Sequence, residues 1–102
     1  MTFTEKVYEV LKEVPRGKVT TYKVIAEKLG TKSYQAVGQA LKRNPDAPRI
    51  PCHRVVASDG GIGGYSGETI GRKIRKKISI LRKEGIVVEE YTVKDFEKKL
   101  WK

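Results

Sequence analysis

The chain has 102 residues, and its 38% hydrophobic content suffices for one small core but not for a second. With 22 basic and 12 acidic residues, its net charge of +10 favours a polyanionic partner, nucleic acid before a membrane surface, although a solvated charged surface fits charge alone equally well. One cysteine excludes an internal disulfide, and one cysteine with one histidine falls short of the about four ligands of a structural zinc site. No apolar run approaches the roughly 20 residues that span a bilayer, and the charged N-terminus is unlike a signal peptide. We therefore expect one domain over residues 1–102 in a soluble, cytoplasmic protein without a metal.

The first half of the chain predicts three helices separated by turn residues. Apolar side chains recur at helical spacing over Phe3–Val14, and a threonine at the start can cap that helix. A short extended piece is expected at Lys18–Thr20. A second helix over Tyr22–Leu29 and a third over about Ser33–Arg43 follow. Two short helices joined by a tight turn predict a helix-turn-helix.

The predicted third helix has a face of small residues, namely Ala36, Gly38 and Ala40. Gly38 inside a helix costs about 1 kcal/mol relative to alanine, so its presence needs a reason. One interpretation is close packing against a neighbouring helix. The other is a flat surface that lets the backbone approach DNA in a groove.

The second half predicts a loop followed by a basic helix. Asn44-Pro45 ends the third helix, and the glycine-rich Ser58–Gly67 is a loop. A long helix is expected over Glu68–Lys83. Its apolar stripe is formed by Ile70, Ile74, Ile78 and Leu81, and its other faces by Arg72, Lys73, Arg75, Lys76 and Lys77.

The C-terminal residues predict a strand at Ile86–Val88 and a helix from Val93, with Phe96, Leu100 and Trp101 facing inward. The expected fold class is therefore mainly α: a small helical domain with a winged-helix-like helix-turn-helix and one or two short strands.

The chemistry is concentrated at Cys52-His53, in a loop stiffened by Pro51. A lone cysteine is usually a small buried apolar residue, but a neighbouring histidine is typical of an activated thiolate. Residues adjacent in sequence need not face each other. Two interpretations therefore remain open from these residues alone. The pair is either a nucleophile with its base, or a buried cysteine beside a core histidine.

Five motifs carry a family resemblance: GKVTTY (17–22), IAEKLG (25–30), AVGQALKRNP (36–45), IPCHRVV (50–56) and GGYSG (63–67). On these motifs the chain resembles the DNA-binding and catalytic domain of the O6-alkylguanine–DNA alkyltransferases, over about residues 3–85. The resemblance implies irreversible transfer of an alkyl group from a flipped guanine in duplex DNA to a cysteine, once per protein molecule and without a cofactor.

The resemblance also assigns roles to individual residues. It makes Cys52 the alkyl acceptor, His53 its base acting through a water, and Glu84 the carboxylate that orients His53, with Arg54 as an ion-pair partner. Asn44 would brace the active-site turn and Tyr22 would contact the flipped base. Substrate contacts are expected from Val55, Tyr65, Ser66 and Gly67.

The third helix is similar to the family's recognition helix, which enters the minor groove. The expected DNA contacts are Tyr34, Gln35, Ala36, Gly38, Gln39, Lys42, Arg43, Arg72 and Lys73. The family has an arginine where this chain has Gln35, so we expect weaker base flipping here, with Tyr34 as an alternative intercalating side chain.

Two further departures concern length. The segment 67–84 is about one helical turn longer than usual, which makes the role of Glu84 less secure. The resemblance begins almost at Met1, so we expect the family's N-terminal domain to have no counterpart here and the extension 86–102 to cover surface that this domain would bury. Two other functions remain: a lesion sensor that binds without transfer, as in the alkyltransferase-like proteins, and a basic DNA-binding protein with an idle cysteine. A monomer is expected, with no membrane partner.

Overall fold

The computed structural model describes residues 1–46, 49–63 and 71–102, and this part of the chain is mainly helical, as predicted. Its helices are α1 (Phe3–Glu13), α2 (Tyr22–Lys28), α3 (Tyr34–Lys42), α4 (Arg72–Lys83) and α5 (Phe96–Lys99). Its strands are β1 (Thr20–Thr21), β2 (Val55–Val56), β3 (Val88–Glu89) and β4 (Thr92–Val93), and a 3-10 turn spans Cys52–Arg54.

Side-chain caps fix where the first three helices begin. In α1, the Thr2 hydroxyl accepts from the Glu5 amide at 3.1 Å, and the Glu5 carboxylate accepts from the Thr2 amide at 3.2 Å. Thr21 caps α2 and Ser33 caps α3 through similar bonds to backbone amides. Helices α2 and α3 pack against each other and against α1, which confirms the helix-turn-helix.

Strands β1 and β2 form a two-residue parallel ladder in which Thr20 pairs with Val55 and Thr21 with Val56. The ladder joins the chain directly before α2 to the chain directly after the 3-10 turn. It therefore ties the helix-turn-helix to the segment that carries the cysteine. Val55 and Val56 of this ladder belong to the buried core, which also includes Val7, Leu11 and Ile25.

Helix α4 is shorter than predicted at its N-terminal end. It begins at Arg72, because Gly71 has φ 91° and ψ −151°, which a helical residue cannot adopt. Ile74 and Leu81 are buried and Ile78 is partly buried, as the stripe predicts. Ile70 lies outside the described residues.

The C-terminal elements are displaced from their predicted positions. The expected strand at Ile86–Val88 is found at Val88–Glu89, where it forms an antiparallel hairpin with β4. The expected helix from Val93 starts only at Phe96, because Val93 pairs with Val88 in the hairpin. Phe96 and Trp101 are partly buried against the core, as predicted.

None of the helices described in residues 1–46, 49–63 and 71–102 has the length and apolar character needed to cross a membrane.

Candidate active site and DNA-binding face

Cys52 is the first residue of the 3-10 turn, and its side chain is 6% exposed. Two groups converge on the carbonyl of Ile50 just before it: the Cys52 amide and the Asn44 side-chain amide, each at 2.8 Å. The Asn44 side-chain oxygen also accepts from the Asp46 amide at 2.9 Å. Asn44 thus holds the turn that presents the thiol, through the side chain-to-backbone bonds expected of it.

A buried network surrounds the neighbouring histidine. His53 Nε2 lies 3.1 Å from Glu84 Oε2. Arg54 binds the same carboxylate in a bidentate manner, with Nη2 at 2.7 Å from Oε2 and Nε at 3.0 Å from Oε1. Arg54 Nη1 also donates to the carbonyl of Val14 at 2.7 Å. Glu84 therefore lies beside His53 in spite of the longer segment that precedes it.

The electrostatics favour a neutral histidine beside an ionised carboxylate. Burial lowers the pKa of His53, and this outweighs the opposing effect of Glu84. Burial alone would raise the pKa of Glu84, but the hydrogen bonds from Arg54 and His53 lower it overall. With Nε2–H donating to the carboxylate, Nδ1 keeps a lone pair, and this buried atom has no hydrogen-bond partner among the described residues. His53 can therefore accept a proton at Nδ1.

Lys77 lies in the core, contrary to the prediction from the sequence. It was expected on a solvent-facing side of α4, yet its exposed fraction is 0%. Its Nζ donates to the carbonyls of Val55 at 2.7 Å and Ile62 at 2.5 Å. Burial lowers the pKa of Lys77 to about 7, with the nearby Cys52 opposing the shift. The signal was in the spacing, because Lys77 follows Ile74 by three residues and precedes Leu81 by four, which places it on the buried stripe.

The expected base-contacting residues are described only in part. Tyr22 is partly buried at the start of α2, and a Cβ added to Gly63 would lie 3.5 Å from its hydroxyl. Val55 is buried in the core, with its carbonyl bound by Lys77. Tyr65, Ser66 and Gly67 lie outside the described residues.

Helix α3 presents the expected polar face to solvent. Ala36 is partly buried, whereas the exposed residues are Tyr34, Gln35, Gln39, Lys42 and Arg43. A Cβ on Gly38 would meet no atom of the described residues within 4 Å, so packing against a neighbouring helix is the wrong explanation for this glycine. Arg72 and Lys73 are also exposed, at the start of α4.

Among the side chains of residues 1–46, 49–63 and 71–102, no three His, Cys, Asp or Glu groups are placed to share a metal ion. What the site does offer is a buried thiol, an adjacent histidine with a proton-accepting nitrogen, and a carboxylate that fixes the ring. This donor set is suited to nucleophilic chemistry at sulfur.

Fold and site together define a helix-turn-helix protein with a thiol beside a His–Glu pair. The family model described as 6-O-methylguanine DNA methyltransferase, DNA binding domain, matches residues 2–86, and the chain belongs to this family. A methylated-DNA–protein-cysteine methyltransferase of Saccharolobus solfataricus is 47% identical over 88 residues, covering 86% of this chain and 54% of that protein. One from Metallosphaera sedula is 44% identical over 93 residues, covering 91% and 55%. The chain thus spans about half the length of these relatives.

Solved structures give the same fold. The O6-methylguanine-DNA methyltransferase of the hyperthermophilic archaeon Pyrococcus kodakaraensis superposes with a TM-score of 0.72 at 49% identity, covering 84% of this chain and 47% of that one. S. pombe Atl1, solved in complex with damaged DNA containing O6-carboxymethylguanine, superposes with a TM-score of 0.80 at 32% identity. That match covers 98% of this chain and 94% of Atl1.

Proposed function

We propose that this protein repairs DNA by irreversible transfer of an alkyl group from O6-alkylguanine in duplex DNA to Sγ of Cys52. The observation that carries the proposal is the placement of Cys52 directly before a histidine whose Nε2 is held by Glu84 and whose Nδ1 is able to accept a proton. Family membership and the relatives' names support the same reaction.

The reaction balances without a cofactor. His53 Nδ1 accepts the thiol proton through a bridging water, and the imidazolium that forms is stabilised by the ionised Glu84. The Cys52 thiolate then attacks the alkyl carbon in line with its bond to the guanine oxygen. The carbon–sulfur bond forms as the carbon–oxygen bond breaks, and the electron pair leaves with guanine. Guanine takes up the proton that the His53 imidazolium releases, which returns the histidine to its neutral form. The thioether on sulfur is stable, so each molecule reacts once.

We assign the base contacts to Tyr22, the backbone of Val55, and the segment with Tyr65, Ser66 and Gly67. The Tyr22 hydroxyl donates a hydrogen bond to the flipped guanine and neutralises charge on the leaving base. The partly buried position of Tyr22 against Gly63 supports this assignment.

DNA binding is assigned to the exposed face of α3, in the minor groove, with the protein as a monomer. The α3 face has no side chain at Gly38, near its centre, and this suits a groove only about 6 Å wide. Lys42 and Arg43 at its end, together with Arg72 and Lys73, are placed against phosphates. Gln35 occupies the gap left by the extruded base, with less charge and stacking than the family's arginine.

A lesion sensor that binds without transfer is the second candidate. The similarity to S. pombe Atl1 over nearly the full length of both chains favours it. The presence of Cys52 favours transfer, because binding without transfer does not require a nucleophilic thiol. An intracellular, cytoplasmic site of action at the nucleoid follows from either reading.

The test incubates the intact protein with a duplex that carries one O6-methylguanine and weighs the protein. Transfer predicts a gain of one methylene per molecule, with none in Cys52→Ser. Tight lesion binding without a mass change would select the sensor, and binding that ignores the lesion would reject both.

A further inference from the structure

The family model ends at residue 86, yet the residues after it pair with both chain segments that meet at Tyr22. We propose that residues 87–102, named here the C-terminal brace, are a positioning element of the transfer site. The brace fixes the backbone on both sides of the Tyr22 hydroxyl. This inference rests on the proposed function, in which that hydroxyl contacts the flipped base.

The first held segment leads into β1 and α2. The Val19 amide donates to the carbonyl of Lys99 at 2.9 Å, and the Trp101 amide donates to the carbonyl of Val19 at 2.7 Å. Val19 and Leu100 therefore form a parallel bridge. Because Val19 is fully buried and precedes Tyr22 by three residues, the brace fixes the start of α2.

The second held segment is residues 60–62. The Val93 amide donates to the carbonyl of Gly60 at 2.9 Å, and the Ile62 amide donates to the carbonyl of Tyr91 at 2.8 Å. An antiparallel bridge between Gly61 and Thr92 lies between these bonds. Residues 60–62 thus lie alongside the hairpin and are hydrogen-bonded to it at both ends.

The two held segments meet at one contact. Gly63 follows Ile62 directly, and a Cβ on Gly63 would lie 3.5 Å from the Tyr22 hydroxyl. Lys77 fixes the same stretch from the other side, through its bond to the Ile62 carbonyl. A shift in either segment therefore changes the position of the hydroxyl relative to its surroundings, and a displacement of about 1 Å can slow a reaction about 100-fold.

Phe96 is the side chain through which the brace can be loosened. It packs so closely on Gly60 that an added Cβ there would lie 2.9 Å from the ring Cγ, and Gly60 itself has φ 91°. This close approach explains why a glycine is needed at position 60. Phe96 is remote in sequence from every residue assigned to the chemistry.

The experiment compares Phe96→Ala with Glu97→Ala, an exposed neighbour on the same short helix, in the full-length protein. Two rates are measured on each folded variant: alkyl transfer from a free O6-alkylguanine base, and labelling of Cys52 by iodoacetamide. We expect Phe96→Ala to lower the transfer rate about tenfold while labelling stays within about twofold of wild type, because the brace acts on base recognition and not on the thiol. Glu97→Ala should match wild type in both.

A brace that only stabilised the fold would lower the melting temperature of Phe96→Ala and leave its transfer rate unchanged, and this result overturns the inference. Equal losses in transfer and labelling also overturn it, because the thiol itself would then have moved. If Phe96→Ala does not fold, Phe96→Leu replaces it under the same criteria. Absence of transfer in wild type would instead refute the proposed function.

Discussion

Glu84 receives three polar contacts on one nearly buried carboxylate, two from Arg54 and one from His53. It follows the last residue of α4, and its backbone is held by the preceding turn. The His53 ring is consequently held by Glu84 at the C-terminal end of α4, a helix that is distant from His53 in sequence. In the proposed reaction, the negative charge of Glu84 stabilises the imidazolium, so its removal affects both stability and rate.

We expect Glu84→Gln to slow alkyl transfer about 100-fold, because the imidazolium loses its counter-charge. The same change should lower the free energy of unfolding by about 3 kcal/mol, since Arg54 keeps a largely buried charge without an ionised partner. Single-turnover rates and urea unfolding measure the two effects.

The control is Glu89→Gln, which removes an exposed carboxylate 3.6 Å from Lys94. It should change neither quantity appreciably. A folded Glu84→Gln protein that transfers at the wild-type rate would contradict the role given to Glu84.

The buried Lys77 should make the free energy of unfolding depend on pH. Burial lowers its pKa from 10.5 to about 7, so between these values the folded protein has released a proton that the unfolded chain retains. The unfolded state binds more protons in this window, and stability therefore rises with pH. Between pH 7 and 9 we expect the free energy of unfolding of wild type to rise by about 2 kcal/mol more than that of Lys77→Met.

Urea unfolding at the two pH values measures this difference, with the exposed Lys76→Met as the control that keeps the wild-type pH dependence. Equal pH dependence in wild type and Lys77→Met would show that Lys77 titrates normally.

At the residue scale, the sequence predicted most of the buried polar residues around Cys52 but not Lys77. Cys52 and His53 stand in the IPCHRVV motif, and Glu84 follows from the resemblance. Lys77 was missed because a lysine in a basic helix is normally solvated, and only its spacing from Ile74 and Leu81 marks the buried stripe. The convergence of Asn44 and Cys52 on one carbonyl depends on how the turn folds, which no local pattern shows.

At the scale of elements, capping residues and glycines determine where the helices begin. The structure caps α1 with Thr2, one of the two threonines at its start, and caps α2 with Thr21 and α3 with Ser33, so each helix begins directly after its cap. The predicted start of α4 at Glu68 was wrong, because the backbone of Gly71 has φ 91° and the helix begins only at Arg72. The two-residue strands are set by tertiary pairing and leave no alternating pattern in the sequence.

Gly38 lowers the stability of helix α3 and also lies on the surface assigned to DNA binding. A substitution at Gly38 therefore tests both effects. We expect Gly38→Ala to raise the free energy of unfolding by about 1 kcal/mol, because the added methyl meets no atom within 4 Å in the part of the chain that the structure describes and alanine favours the helix. The same methyl projects from the proposed groove-facing surface, so duplex affinity should fall about tenfold, or 1.4 kcal/mol. Urea unfolding and a fluorescence binding titration measure the two effects. A stabilised variant with unchanged affinity would place the DNA elsewhere.

At the scale of the whole molecule, we expect net charge to govern the proposed encounter with DNA. Lys42, Arg43, Arg72 and Lys73 are exposed, and the chain carries a net charge of +10. If these four side chains each neutralise one phosphate, log affinity should fall with log salt at a slope of about −3.6. Lys42→Ala should reduce the slope by about 0.9. A salt-independent affinity, measured over a range of potassium chloride concentrations, would remove the electrostatic basis of the interface.

The most direct test of the account follows the alkyl carbon itself. A duplex carrying O6-methylguanine with a ¹³C-labelled methyl group is incubated with an equimolar amount of protein, and the protein is digested and sequenced by mass spectrometry. Transfer to Cys52 predicts one label per molecule, as a thioether on the peptide containing Cys52, and unlabelled guanine in the DNA. A label that stays on the DNA, or appears on any other residue, would contradict it.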